Sequence, residues 1–242
     1  MKKILLTIFC LLGIFGISET NAQAFFDNSP APKLFTFGVR AGFNTSTRTF
    51  PVGNYYNHTM TSWGTGLNVG FVANMNFKEY LTLQPGFFLE NRSGTLVNVV
   101  DYYSQDFNDG TGGYDIVEKT HYKFNKLRAF YITIPVMGVV KFNLAENIKW
   151  NVGFGPYLQF ALSNSGEKNI QIVSGNPYDA SYRMYIAQNR NFDVGFKMGM
   201  GLTFYQHYYI GVHYLAGLTN AWKAPAGGRN KSWMFSLGYN FE

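Results

Sequence analysis

Cysteine is all but absent: the 242 residues hold 1, Cys10, so no disulfide scaffold can be built. Charge is scarce as well. Asp, Glu, Lys and Arg make up 14% of the chain, where an ordinary globular domain carries about a quarter. The 20 Lys+Arg and 14 Asp+Glu give a formal +6 but are scattered, so no basic face for nucleic acid is formed. After Ile17 no apolar run is long enough for a helical membrane span, because Gly, Asn or a charged residue interrupts each one. What abounds is aromatic residues, 18%, and glycine, 26, in a chain that is 46% hydrophobic. That composition excludes disorder, and the length suits one β-domain or two small ones and is ample for a sizeable core.

The first residues read as an address. Met1-Lys2-Lys3 is a basic start, Ile4 to Ile17 is apolar, and Thr20 and Ala22 occupy the −3 and −1 positions of a signal-peptidase site. The apolar stretch is short for a membrane anchor, which takes about 20 residues, and Cys10 lies inside it rather than at a lipidation position. The expected organisation is a signal peptide at 1–22, a periplasmic lead at 23–33 and one barrel domain at 34–242. Cleavage after Ala22 takes Lys2, Lys3 and Glu19, so that 20 basic and 14 acidic residues become 18 and 13, with no cysteine left.

Period-two alternation then recurs along the chain, the mark of strands rather than helices. In 34–44, Phe35, Phe37, Val39, Ala41 and Phe43 oppose Thr36, Gly38, Arg40, Gly42 and Asn44. In 62–77, Trp63, Leu67, Val69, Phe71, Ala73, Met75 and Phe77 oppose a Gly, Asn and Ser face, with Val72 the apolar intruder. Similar stretches run over 81–92, 149–162, 191–204, 208–220 and 232–241, with Tyr209 and Leu215 falling on the polar face of 208–220. The stretch 122–142 is the least regular: Ile132, Ile134 and Val136 share a face, its first half stays unassigned, and the strand count is eight. Short links at 78–80, 143–148 and 205–207 alternate with long polar ones at 45–61, 93–121, 163–190 and 221–231. This is the layout of an all-β, single eight-stranded antiparallel up-and-down transmembrane barrel, with short periplasmic turns and longer outer loops.

A soluble barrel or sandwich would show the same period, and the polar face separates the two. A water-facing strand carries Lys, Glu, Asp and Arg; here that face is mostly Gly, Asn, Ser, Gln and Tyr, which suits a narrow lumen. Trp63, Phe192 and Trp233 fall at the long-loop ends of strands. Phe77, Tyr80, Trp150, Phe204, Tyr208, Tyr239 and Phe241 fall near the short turns, so the two sets form interfacial belts.

Four stretches carry a family likeness: Leu81-Thr82-Leu83-Gln84-Pro85-Gly86-Phe87, Tyr131-Ile132-Thr133-Ile134-Pro135-Val136, Gly153-Phe154-Gly155-Pro156-Tyr157, and Phe192-Asp193-Val194-Gly195. With them the chain resembles the PorT-like porin family of Bacteroidota outer-membrane β-barrels. The ending Gly238-Tyr239-Asn240-Phe241 looks like the aromatic signal read by the barrel-assembly machinery, although Glu242 follows it, and Thr133 stands where relatives often carry Glu. The resemblance implies fold and location, and most members have no assigned activity.

Interior parity picks out Arg40, Glu90, Arg92, Asp193, Lys197 and His213 as an expected buried polar network, an ion path or a structural plug. Such ions must be paired, because isolating one in low dielectric costs several kcal/mol. His58, His121, His207 and His213 stand in no His-x-Ser or Gly-x-Ser-x-Gly setting, so no enzyme is expected. The acidic residues of 93–121 (Asp101, Asp106, Asp109, Asp115 and Glu118) do not match a twelve-residue calcium loop, so no metal and no cofactor is expected. Tyr102, Tyr103, Phe107 and Tyr114 in that segment are candidates for gripping a partner. The expected role is structural or binding through the outer loops of a monomer. The expected partners are outer-membrane lipid including lipopolysaccharide, the assembly machinery and an envelope protein. A narrow channel and a lipid-modifying enzyme are the alternatives.

Overall fold

Strand-forming residues in alternation build eight antiparallel strands: β1 (Phe35–Arg48), β2 (Asn57–Asn76), β3 (Leu81–Asn108), β4 (Gly113–Ala145), β5 (Ile148–Ser165), β6 (Phe192–Phe204), β7 (Tyr208–Gly217) and β8 (Asn230–Phe241). The computed structural model describes residues 25–48, 53–54, 57–108, 113–165, 169–174, 183–223 and 228–241; at 53–54, 57–61, 95–108, 113–127, 164–165, 169–174, 183–189 and 222–223 it is the backbone that is described. The expected signal segment lies outside these residues. Each strand pairs with its sequence neighbours, and β1 also pairs with β8, from Phe37 opposite Phe241 to Arg48 opposite Asn230. The sheet is thus closed, and a closed sheet has no edge whose backbone groups go unpaired.

The alternation resolves into an apolar outside and a polar inside. On β2, Leu67 is 70% and Val69 54% exposed, while Asn68 between them is 3% exposed. Ring pairs run around the exterior: Phe43 stacks on Phe235 at 4.8 Å, Phe71 on Phe87 at 5.4 Å and Phe154 on Phe196 at 5.2 Å. Water-soluble proteins seldom expose a contiguous apolar patch beyond a few hundred Å². A band of Leu, Val and Phe circling the barrel requires hydrocarbon around it. Trp63, Phe192 and Trp233 at one rim, and Phe77, Tyr208, Tyr239 and Phe241 at the other, are all exposed, as interfacial belts are. No helix among the described residues is long and apolar enough to cross a membrane.

The lead packs under the short-turn rim. Glu79 N–H donates to Ser29 O at 3.2 Å and Asn76 Nδ2 to Lys33 O at 3.1 Å. Phe25 lies 5.1 Å from Phe142, and Phe26 lies 5.8 Å from Tyr80, ring centre to ring centre.

The segments expected to be long polar links differ from that reading. Most of 93–121 is strand: β3 and β4 stay paired from Ser93 opposite Arg128 out to Asn108 opposite Gly113. The unassigned first half of the fourth strand is therefore a strand as well. At 163–190, Asn169–Ser174 pairs with Arg183–Asn189, and Trp222–Lys223 adds a third short strand. The segment 45–61 is largely absorbed into β1 and β2, while the seventh strand stops at Gly217 instead of running to residue 220. Beyond the apolar band there is no longer one greasy and one polar face, so pairing continues while the period-two signature disappears.

Candidate functional site

The interior is where the charged residues gather. All six sequence-selected lumen residues (Arg40, Glu90, Arg92, Asp193, Lys197 and His213) are buried. Hydrogen bonds, an ion pair and ring contacts join them in four sets.

In the first group, Arg92 Nε donates to Glu90 Oε2 at 2.8 Å, and Arg92 Nη2 lies 2.6 Å from the same oxygen. These residues are i and i+2 on β3, so both side chains enter the lumen one above the other. Arg92 Nη1 also donates to Gln159 Oε1 at 3.2 Å, and Gln159 Nε2 passes the chain on to Thr133 Oγ1 at 2.8 Å. Thr133 is fully buried and terminates that relay. Arg92 lies 5.4 Å over the Tyr131 ring, whose hydroxyl also takes a hydrogen bond from Arg48 Nη2.

Asp193, in the second group, is met by neutral donors. Its Oδ1 accepts from Thr219 Oγ1 at 2.5 Å, and its Oδ2 accepts from Asn230 Nδ2 at 2.9 Å and Tyr157 Oη at 3.3 Å. The chain leaving β7 turns inward so that Thr219 can reach it. In the third, Lys197 Nζ sits 4.2 Å over the Phe88 ring. The fourth joins Arg40, Tyr209 and His213. The Arg40 guanidinium lies 4.2 Å over the Tyr209 ring, and Tyr209 Oη is 3.0 Å from His213 Nε2. Arg40 donates to Val39 O at 2.9 Å, Tyr239 O at 3.4 Å and Asn240 Oδ1 at 2.7 Å. A Cβ on Gly201 or Gly211 would come within 2.5 Å or 2.2 Å of Tyr209 Oη, so glycine at both positions makes room for this ring.

Between these groups stands a plug whose assembly the sequence did not show, although Phe88 and Tyr157 are bulky residues of lumen parity. Val72, Phe88, Tyr157, Leu215 and Met234 form a buried apolar cluster across the lumen. Its signal was in the pattern: Val72, Phe88 and Leu215 are apolar residues on the polar parity of their strands. Leu215 is 0% exposed although Ile210 and Trp233 on the other parity are open. On the short-turn side of the plug lies a chamber of about 300 Å³ lined by Arg40, Lys141, Lys149, Asn151, Tyr209 and other polar residues. On the outer side there is space for about 20 Å³ near Arg48, Arg92 and Tyr131.

The partner candidates Tyr102, Tyr103, Phe107 and Tyr114 lie on the outer extensions of β3 and β4. The backbone register sets Phe107 opposite Tyr114, Tyr102 opposite Lys119 and Tyr103 opposite Glu118, and their side chains lie outside what is described. No group of His, Cys, Asp and Glu suited to a metal ion is found among the described residues. Of the histidines with described side chains, His213 meets Tyr209 and His207 meets Asn240 O at 3.1 Å.

No curated protein matches the chain in sequence. Among solved structures the chain is similar to Ail, the attachment invasion locus protein of Yersinia pestis, at 11% identity over 86% of this chain and 100% of that one, with a TM-score of 0.38. It is similar also to the outer membrane protein OprG from Pseudomonas aeruginosa, at 9% identity over 89% and 99%, with a TM-score of 0.42. Neisserial surface protein A is a third, at 10% identity over 84% and 95%, with a TM-score of 0.40. The family described as outer membrane protein beta-barrel domain matches residues 21–223. That match spans most of the chain and agrees with its closed eight-stranded sheet, and this chain belongs to that family, as a protein of the outer membrane.

Proposed function

We propose that the protein is a monomeric binding or structural component of the outer membrane, and that within its family it stands with the PorT-like barrels. It engages an envelope partner through its outer hairpins. Lipid, lipopolysaccharide included, covers the apolar band, and the barrel-assembly machinery inserts the chain by its aromatic ending.

One observation carries this reading. Beyond Val100, where β2 ends opposite it, β3 and β4 continue as a two-stranded ribbon from Asp101 opposite Thr120 to Asn108 opposite Gly113. At a rise of about 3.4 Å per residue, this ribbon reaches roughly 25 Å past the last β2 pairing. It holds Tyr102, Tyr103, Phe107 and Tyr114, residue types suited to interfaces. Among the described residues neither strand has a further ladder partner there, and an open strand edge accepts an extended segment by β-augmentation. A barrel needs no such ribbon to close, and two exposed edges are otherwise a liability.

The test is affinity capture from solubilised outer membranes with the tagged full chain and with a variant in which residues 101–120 are replaced by a short Asn-Gly turn. The expected result is an envelope protein retained by the full chain and lost from the variant, with both forms inserted. Equal capture by the two, or capture by neither, overturns the reading.

A further inference from the structure

We propose that the chamber at the periplasmic end of the lumen is a binding site for a small oxyanion, a carboxylate or a phosphate, admitted from the short-turn side. The outer hairpins play no part in it, so it is independent of the reading above.

The chamber is built, not left over. It holds about 300 Å³, room for roughly ten waters or a small organic acid. Along β3, Phe88 of the plug lies between Gln84, which lines the chamber, and Arg92, which lines the small space on the outer side, and Met137 is buried in the chamber wall. Its mouth is framed by the lead at Ala31–Lys33 and by the turn residues Glu79 and Gln206.

The charge balance of its lining specifies the ligand. Arg40, Lys141, Lys149 and Lys33 face it, against a single carboxylate among the described residues, Glu79. That carboxylate is already taken, since Lys149 Nζ lies 2.7 Å from Glu79 Oε2. Lys141 Nζ has only the neutral Asn76 Oδ1, at 3.0 Å, and Arg40 has two backbone carbonyls and an amide oxygen. Arg40 and Lys141 are therefore cations drawn into a chamber with low-dielectric walls, with no anion in contact among the described residues. Such walls focus the field of like charges and raise the local concentration of a counter-ion. A guanidinium and an ammonium converging on one space are the donors that carboxylate and phosphate oxygens accept from. The neutral polar lining (Thr36, Gln84, Asn151 and Thr203) serves the uncharged part of such a molecule. The outer end of the lumen differs in size: there Arg92 is paired with Glu90, and the space is about 20 Å³.

The experiment is calorimetric titration of the full chain in detergent micelles at low ionic strength, with citrate and with inorganic phosphate as probes. At least one is expected to bind saturably, with affinity at least about tenfold lower in Lys141→Gln and in Arg40→Gln. Lys231→Gln, which alters a cation at the opposite end of the lumen, is expected to bind as the parent does. Binding of citrate alone assigns a carboxylate ligand, and binding of phosphate alone a phosphate. Lys141 lies near the mouth, so Lys141→Gln remains a readout even if Arg40→Gln fails to insert. Absence of saturable binding of either probe, or equal affinity in the parent and Lys141→Gln, overturns the proposal.

Discussion

Glu90 and Arg92 show how a charge survives inside a membrane barrel. Each is almost fully removed from water, and each is the other's counter-ion at 2.6 Å. Removing one partner of a buried pair costs about 3–5 kcal/mol, because the remaining charge is stranded, whereas replacing both by apolar groups is often neutral. Glu90→Gln is therefore expected to lower the urea midpoint of the folded barrel strongly, and the double variant Glu90→Leu, Arg92→Met to recover most of the loss. Unfolding followed by tryptophan fluorescence checks this; a double variant as unstable as the single would show that the lost term is packing rather than charge. At this scale the sequence was partly legible. Parity alone put Arg40, Glu90, Arg92, Asp193, Lys197 and His213 inside. Their partners were not legible, since Arg40 meets Asn240, 200 residues away, only because β1 closes on β8.

A strand in this protein is a two-sided object, and β2 is the clearest instance. Val69 faces hydrocarbon and Asn68 faces the lumen, where Ser236 Oγ donates to Asn68 Oδ1 at 3.5 Å. A charge at Val69 would sit in the apolar band, and Val69→Arg is expected to destabilise the barrel by about 2–4 kcal/mol if its depth is the midplane. Thiol labelling gives the cleaner readout. The thiol of Val69→Cys should react with a lipid-soluble maleimide and resist a membrane-impermeant one, and that of Asn68→Cys should contact no lipid. Free water-labelling of thiols at positions 66, 68 and 70, with position 69 shielded from both reagents, would mean that the apolar face is a core. Strand identity could be read wherever lipid on one side imposed period two. It failed for residues 93–121, because past the apolar band water lies on both sides and the alternation that betrays a strand has no cause.

Taken whole, the barrel is a closed wall around a stopped lumen. An eight-stranded interior is just wide enough for side chains to fill, and here Val72, Phe88, Tyr157, Leu215 and Met234 fill its middle. The purified protein in a planar bilayer is expected to give no large, steady conductance. The double variant Phe88→Ala, Tyr157→Ala should admit openings the parent lacks. Reproducible large openings in the parent would overturn the plug and promote the channel alternative. The same plug stands between the periplasmic chamber and the small space on the outer side.

Strand number, the face each residue takes and the membrane around the barrel were determined by the sequence itself. All three follow from a local rule: successive side chains point to opposite sides of a strand, and lipid on one side forces the choice of residue there. The apolar residues that broke the rule on the polar parity, Val72, Phe88 and Leu215, marked the plug before its assembly could be known. Only the tertiary structure decided which interior groups meet, how the lumen divides into an outer ion pair, a plug and a cationic chamber, and how far β3 and β4 run beyond the band. Those are matters of closure and register, which bring together residues from opposite ends of the chain, and no local period encodes them.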